Sequence, residues 1–432
     1  LSSLTKLALP IMATSLIQMA YNMIDMIWIG RLGSSAVASV GAAGMYMWLS
    51  NGLVTLARMG GQVHVGHAVG AGRTDFAGRY AATTFQMTLL LGVLYGLICT
   101  IFSKPLIAFF HLTSTSVIND AVSYLMITCG LVIFSFLNQI FTGLFTAIGN
   151  SHPAFLSTSV GLVINIILDP LIIFGIGPFP RLGIEGAALA TGIGQVTPVV
   201  IYWIIYKIRP ISVKIRPEYL KEGKNLVGRL YAIGVPAILN LALPSLLISA
   251  LNGILAVYSQ SYVVVLGIYY KLQTFIYLTA NGIVQGMRPI IGFNYGAGEH
   301  KRVRKIYEIT LIMCAVIMLI GTGICLAIPE QLIGLFSSNP ETIRLGGQAL
   351  TRISAGFLIS AVSITSSGAL EGLGKGGSSL IISLCRNVIV ILPAAYLLSH
   401  LGGGVFVWHA FWITEVISAA VSLVVYRRAV RR

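Results

Sequence analysis

The 432-residue sequence predicts an all-α polytopic membrane protein. Twelve transmembrane helices are expected, in two six-helix lobes related by a pseudo-two-fold axis along the membrane normal. Three observations carry this expectation. The chain is 56% apolar and only 9% charged, with a mean hydropathy of +0.87, whereas a soluble domain averages about 25% charged residues. Its apolar runs, separated by Gly, Pro and charge, reach the roughly 20 residues a spanning helix needs. Finally, four landmarks of the first half return in the second in one register.

The spans follow in order. The first, 4–30, carries LALP at its start and stops at Gly30. The second, 36–68, is interrupted by Arg58, His64 and His67 and runs into GHAVGAG. The third, 79–102, begins beyond Arg73 at Arg79 and precedes PLIAFF. The fourth, 118–147, ends in GLFTAIGN. The fifth, 153–176, contains NIILDPLIIFG, and the sixth, 184–206, opens near Gly183 with GIEGAALATGIGQ. The longest polar connection, Lys207 to Arg229, then intervenes. A seventh span, 229–256, carries IGVP, and an eighth, 260–291, is interrupted by Lys271 and Arg288 before GFNYGAG. The ninth, 303–327, follows the basic stretch Lys301 to Lys305 and precedes EQLIGLF. The tenth, 344–369, leads into GALEGLGK. The eleventh, 377–399, starts beyond Lys375, and the twelfth, 405–427, ends at RRAVRR.

The landmarks define a duplication. Pro10 of LALP pairs with Pro236 of IGVP, Gly72 with Gly298, and Phe110 with Phe336, each 226 residues apart; Gly149 and Gly374 are 225 apart. Because each half holds an even number of helices, the copies are parallel. The expected division is an N-terminal lobe at 1–206, a basic linker at 207–228 and a C-terminal lobe at 229–432. About twenty basic residues fall on the side of the linker and both termini, against about five on the other, which makes that side cytoplasmic. The net charge of +15 is therefore read as positive-inside sorting, with no nucleic-acid partner. Starting at Leu1 rather than Met, the sequence is expected to lack a short N-terminal stretch, and no cleavable signal peptide is visible. The cysteines Cys99, Cys129, Cys314, Cys325 and Cys385 form no CxxC or Cys/His cluster and read as small buried hydrophobes.

Asp25 and Asp169 are the outliers. A carboxylate inside a span costs roughly 2.5–3.5 kcal/mol even on an insertion scale and usually faces a cavity or ion path. Asp25 precedes Gly30 by five residues and Asp169 precedes Gly175 by six, so both lie at similar depth in the outer half of the bilayer. Asn165, four residues before Asp169, shares its helix face. Thr191 of the inward-running sixth span reaches a comparable level. Two carboxylates, an amide and a hydroxyl are oxygen ligands suited to a hard cation such as Na⁺; the same group also suits a proton. The repeat equivalents of Asp25 and Asp169 are Leu251 and Ala394, which confines this chemistry to the N-terminal half. Glu371, at the end of the tenth span, is expected to be solvated or loop-paired. Glu415, deeper in the twelfth, is a secondary candidate, and Lys271 or Arg288 could balance either acid.

These residues resemble the multidrug and toxic compound extrusion (MATE) transporters, in the branch close to bacterial DNA-damage-inducible protein F and archaeal members. The resemblance covers essentially the whole chain and rests on LALP, IDMIWIGRLG, the GxxxGAG after the second span, NIILDP and GIEGAALAT. It implies that Asp25 is the N-lobe acid, that Asn165 and Asp169 form the family's NxxxD pair, that Thr191 is its sixth-helix hydroxyl, and that Pro10 is the site of a helix bend. It suggests Gln18 and Tyr21, with Gln139 and Thr142 of FLNQIFTG, as cavity-lining groups. The implied function is a secondary antiporter, not an enzyme and without a cofactor. It would export amphipathic, often cationic compounds in exchange for H⁺ or Na⁺ and be monomeric among membrane lipids in a prokaryotic plasma membrane. The weighed alternatives are a lipid-linked glycan flippase, which usually carries about fourteen spans and basic cavities, and an intramembrane aspartyl enzyme. The sequence lacks GxxxxGK[ST], HExxH and GxSxG, which argues against direct ATP drive and familiar hydrolytic chemistry.

Overall fold

Residues 2–431 are described by a computed structural model; Leu1 and Arg432, the latter closing the basic RRAVRR stretch, lie outside the described residues. Every regular element among them is helical. In the first half these are α1 (Ser2–Gly30), α2 (Ser34–Gly70), α3 (Thr74–Ile101), the short α4 (Ser103–Ala108), α5 (Thr115–Gly130), α6 (Val132–Ala147), α7 (His152–Phe174) and α8 (Ile184–Ile208). A 3₁₀ turn, Pro217–Glu222, leads to the second half. There follow α9 (Gly223–Ala256), α10 (Gln260–Gly296), α11 (His300–Ala327), the short α12 (Pro329–Gly334), α13 (Pro340–Ser354) and α14 (Phe357–Gly372). The chain ends with α15 (Gly376–Leu384), a π-helical turn Cys385–Ile389, α16 (Ile391–Gly402), a 3₁₀ turn Phe406–Trp408 and α17 (His409–Arg431).

The duplication is visible in these elements. The short helices α4 and α12 are offset by 226 residues at both ends (329 − 103 and 334 − 108). Next comes, in each half, a span broken in the middle: α5 and α6 are bent by 42°, α13 and α14 by 56°. The fourth and tenth spans, expected as single helices, are thus broken, and a glycine lies at each break, Gly130 in one and Gly356 in the other. Nine described helices are long and apolar enough to cross a membrane, or eleven when each bent pair counts as one span. The predicted second span is one continuous helix of 37 residues but does not join that set; Arg58, His64 and His67 dilute its apolarity. The eleventh span contains the π turn, where the Val390 N–H reaches back five residues to the Cys385 carbonyl. Pro393, three residues on, has no N–H to offer Ile389, and such a defect is a recognised cause of local helix irregularity.

The fold separates into two compact units. One comprises residues 13–234. Within it the basic connection packs back on α3: Arg79 pairs with Glu222 at 3.0 Å, and Tyr219 donates to Asp75 at 3.3 Å. The other joins the residues through Met12 to those from Val235 onward. The first turns of α1 therefore pack with the second half, where Leu4, Leu7 and Ala8 are buried. The boundary crosses α1 two residues beyond Pro10 and α9 just before Pro236, the pair matched by the repeat. The α1 helix continues through Pro10.

Candidate functional site

The first unit gathers its polar residues where α7 crosses α8. A side chain at Gly161 would lie 2.4 Å from the Gly194 carbonyl oxygen, and one at Gly194 would lie 2.9 Å from Asn165 Cβ. Only the two glycines permit this approach, which fixes Asn165 against α8. One turn further, Asp169 precedes Pro170, which cannot supply the N–H that the Ile166 carbonyl would otherwise accept. Gly175, at φ +69°, then ends α7 in the left-handed conformation.

Asp169 and Asn165 are 0% and 2% exposed, and Asp25 is 9% exposed. The Asp25 and Asp169 carboxyls lie within hydrogen-bonding reach of each other. Two ionised carboxylates are both acceptors and bind each other only through a shared proton or cation. Both oxygens of Asp169, one of Asp25, both polar atoms of the Asn165 amide and the Thr191 hydroxyl are buried with no hydrogen-bond partner. Leaving one such group unsatisfied costs about 1–3 kcal/mol, more when it is charged. Six orphaned atoms in one place therefore form a cradle of oxygen and amide groups fitted to a small cation, or to protons on the carboxylates.

Tyr21 and Tyr124 flank this cradle. Each hydroxyl approaches Thr191 without completing a bond that satisfies the threonine oxygen. Tyr21 is one of the residues that the family resemblance suggests. Tyr124, buried on α5, was not anticipated; its lone position in an apolar run carries no periodic signal. The other suggested lining residues have partners or surroundings of their own. Gln139 accepts from Arg58 at 3.0 Å, Thr142 shares a 2.8 Å bond with the Tyr202 hydroxyl, and Gln18 is exposed.

The second unit treats its acids differently. Glu371, expected to be solvated or loop-paired, is instead buried. It forms an ion pair with Arg288 at 2.7 Å and accepts from Asn240 at 3.0 Å and Ser379 at 3.1 Å. Its place at the end of a predicted span misled the expectation, because α9, α10 and α15 close over it. Glu415 is held by Arg386, whose Nε and Nη2 reach the same carboxylate oxygen at 2.8 and 2.7 Å. Lys271 is exposed and enters neither pair.

Comparison with known proteins agrees with the duplication. The MatE family model matches twice, over residues 10–171 and 236–397, and both ends of the second match are offset by 226 (236 − 10 and 397 − 171). The chain is similar to the multidrug export protein MepA of Staphylococcus saprophyticus, at 26% identity over 427 residues, covering 97% of this chain and 92% of that protein. It is also similar to a FAD transporter of Shewanella oneidensis, at 25% identity over 405 residues, covering 93% and 88%. In fold it is similar to the Vibrio cholerae MATE transporter VcmN in its bent form, with a TM-score of 0.92 at 21% identity, covering 100% of this chain and 97% of that one.

Proposed function

The chain belongs to the MatE family, and from that premise we propose that it is a secondary antiporter exporting amphipathic, often cationic compounds in exchange for inward H⁺ or Na⁺. The observation that carries the reading is the cluster of orphaned polar atoms on Asp25, Asn165, Asp169 and Thr191. Carboxylate, amide and hydroxyl groups in this number suit a proton or a hard cation. Relatives named for multidrug export and probable multidrug resistance support the export of drug-like small molecules.

In this mechanism the empty cradle carries two carboxylates that repel each other. Uptake of a proton or Na⁺ from outside relieves the repulsion and draws Asp25 of α1 toward Asp169 of α7. Residues near Pro10 absorb the change in α1, and the new arrangement favours outward release of the exported compound. Coupling requires the ion to bind the two states with different affinity; equal binding would shift nothing. The lobes are those of residues 1–206 and 229–432, with the basic linker and both termini cytoplasmic, and the protein works as a monomer in a prokaryotic plasma membrane.

The test is transport in proteoliposomes with pH and Na⁺ gradients imposed independently. Export driven by one gradient identifies the ion. Asp25→Asn and Asp169→Asn are each expected to abolish gradient-driven export while the protein stays folded. Undiminished export in both variants would overturn the assignment.

A further inference from the structure

The Arg386–Glu415 pair is an unusual way to fill the interior of the second unit. Burying two charges commonly gains nothing over apolar residues of the same size, so stability alone gives little reason for it. Arg386 lies in the π-helical turn Cys385–Ile389, a defect often found at functional positions. Its guanidinium grips one carboxylate oxygen of Glu415 with two N–H groups. The other oxygen, Oε2, is buried and has no partner.

Aromatic rings complete the surroundings. The guanidinium carbon stands 5.7 Å from the centre of the Tyr277 ring, within the range at which a cation is attracted to a π face. Tyr270 packs beside Tyr269 at 5.1 Å between ring centres, and its hydroxyl is also buried without a partner. The pair is not sealed: the Arg386 and Glu415 side chains keep 24% and 13% of their surface exposed. A carboxylate with a spare oxygen, next to π faces that already accommodate a planar cation, has the chemistry of an organic-cation site.

We propose that Glu415, with the rings of Tyr270 and Tyr277, forms an organic-cation subsite that Arg386 occupies until a substrate cation takes its place. Arg386 is the resident surrogate. An incoming monovalent aromatic cation binds the free Oε2 and the Tyr277 face and displaces the guanidinium toward its exposed side. No bond is made or broken, and the net charge of the unit rises by that of the cargo. The subsite rests on the export reading above for the class of its ligand.

The experiment is equilibrium binding of ethidium to the full chain in lipid nanodiscs, with no gradient, read by fluorescence anisotropy. Glu415→Gln is expected to weaken ethidium about tenfold. Arg386→Gln/Glu415→Gln, which leaves no unpaired charge and guards against misfolding of the single variant, is expected to bind as weakly. Tyr277→Phe keeps the ring and wild-type affinity, whereas Tyr277→Leu loses several-fold. Nile red, a neutral amphipathic probe, is expected to bind all variants alike. Wild-type ethidium affinity in both Glu415 variants would overturn the proposal, as would equal losses for ethidium and Nile red. Asp25→Asn separates this subsite from the antiport reading: it should lose exchange while its residual ethidium binding stays dependent on Glu415. If it keeps exchange while the Glu415 variants lose ethidium, the coupling assignment fails and the subsite stands.

Discussion

At Asp25 and Asp169 the sequence and the structure describe one physical problem. The residues are costly in a span, and burial leaves three of their four oxygens without partners. Replacing either by Asn removes the charge at nearly constant volume, so the unfilled site becomes cheaper to bury. Asp25→Asn and Asp169→Asn are therefore expected to melt no lower than the wild type in the absence of coupling ion. Ion binding to the folded state adds stability as RT ln(1 + [L]/Kd), about 2.7 kcal/mol at a hundred times Kd. The wild type should accordingly melt higher as Na⁺ is raised, or as pH is lowered if the ion is a proton, and neither variant should respond. Thermal unfolding in detergent across a Na⁺ and pH series checks this; a variant that keeps the full ion response would place the ion elsewhere.

At the scale of elements, the site depends on how closely α7 and α8 approach. Gly161 and Gly194 meet backbone to backbone, and Asn165 is held against the same contact. A methyl group at either glycine must separate the helices, since its nearest neighbours are the Gly194 carbonyl in one direction and Asn165 Cβ in the other. Gly161→Ala and Gly194→Ala are expected to cost about 1–3 kcal/mol by overpacking, and to weaken coupling-ion affinity because Asn165 moves with α7. Gly177→Ala, where a side chain meets nothing within 4 Å but φ is +68°, separates the two effects: it strains a loop and should leave ion affinity intact. Ion-dependent melting of the three variants provides the comparison. The α1 helix was only partly legible at this scale. Its apolar span and Pro10 stand out in the sequence, yet Leu4, Leu7 and Ala8 pack with the second half. A side chain at Gly286 would come within 3.0 Å of Ala8, and nothing in local composition signals a contact across that separation.

Across the whole molecule, a duplicated fold carries two opposite electrostatic solutions. The repeat was legible because glycines, prolines and the short helices α4 and α12 recur at one offset. The acids of the first unit were legible because charge is rare in spans and because Asn165 falls one turn from Asp169. For the second unit the sequence offered Arg288 as one candidate partner of Glu371 without choosing between the acids, and Arg386 as partner of Glu415 was not legible, since the two lie on different helices at a spacing that no periodicity reveals. One unit buries Asp25 and Asp169 with three oxygens unpartnered; the other pairs Glu371 and Glu415 with arginines. The distinction predicts opposite responses to the same kind of substitution. Glu371→Gln leaves Arg288 without its counter-charge; because Arg288 keeps 25% of its side chain exposed, the loss is expected below the roughly 3–5 kcal/mol of a fully buried pair broken from one side. Arg288→Met/Glu371→Met removes both charges and is expected to recover most of that loss, because Asn240 still donates to Ser379 at 3.2 Å and Ser379 still bonds Ser367 at 2.6 Å. Asp25→Asn, by contrast, should cost no stability, since among the described residues no cationic side chain pairs with that acid. Thermal midpoints measured under one buffer would set Glu371→Gln well below the wild type, with the double Met variant and Asp25→Asn near it. Equal destabilisation by Glu371→Gln and Asp25→Asn would mean that both acids are structural, and the division of labour between the halves would fail.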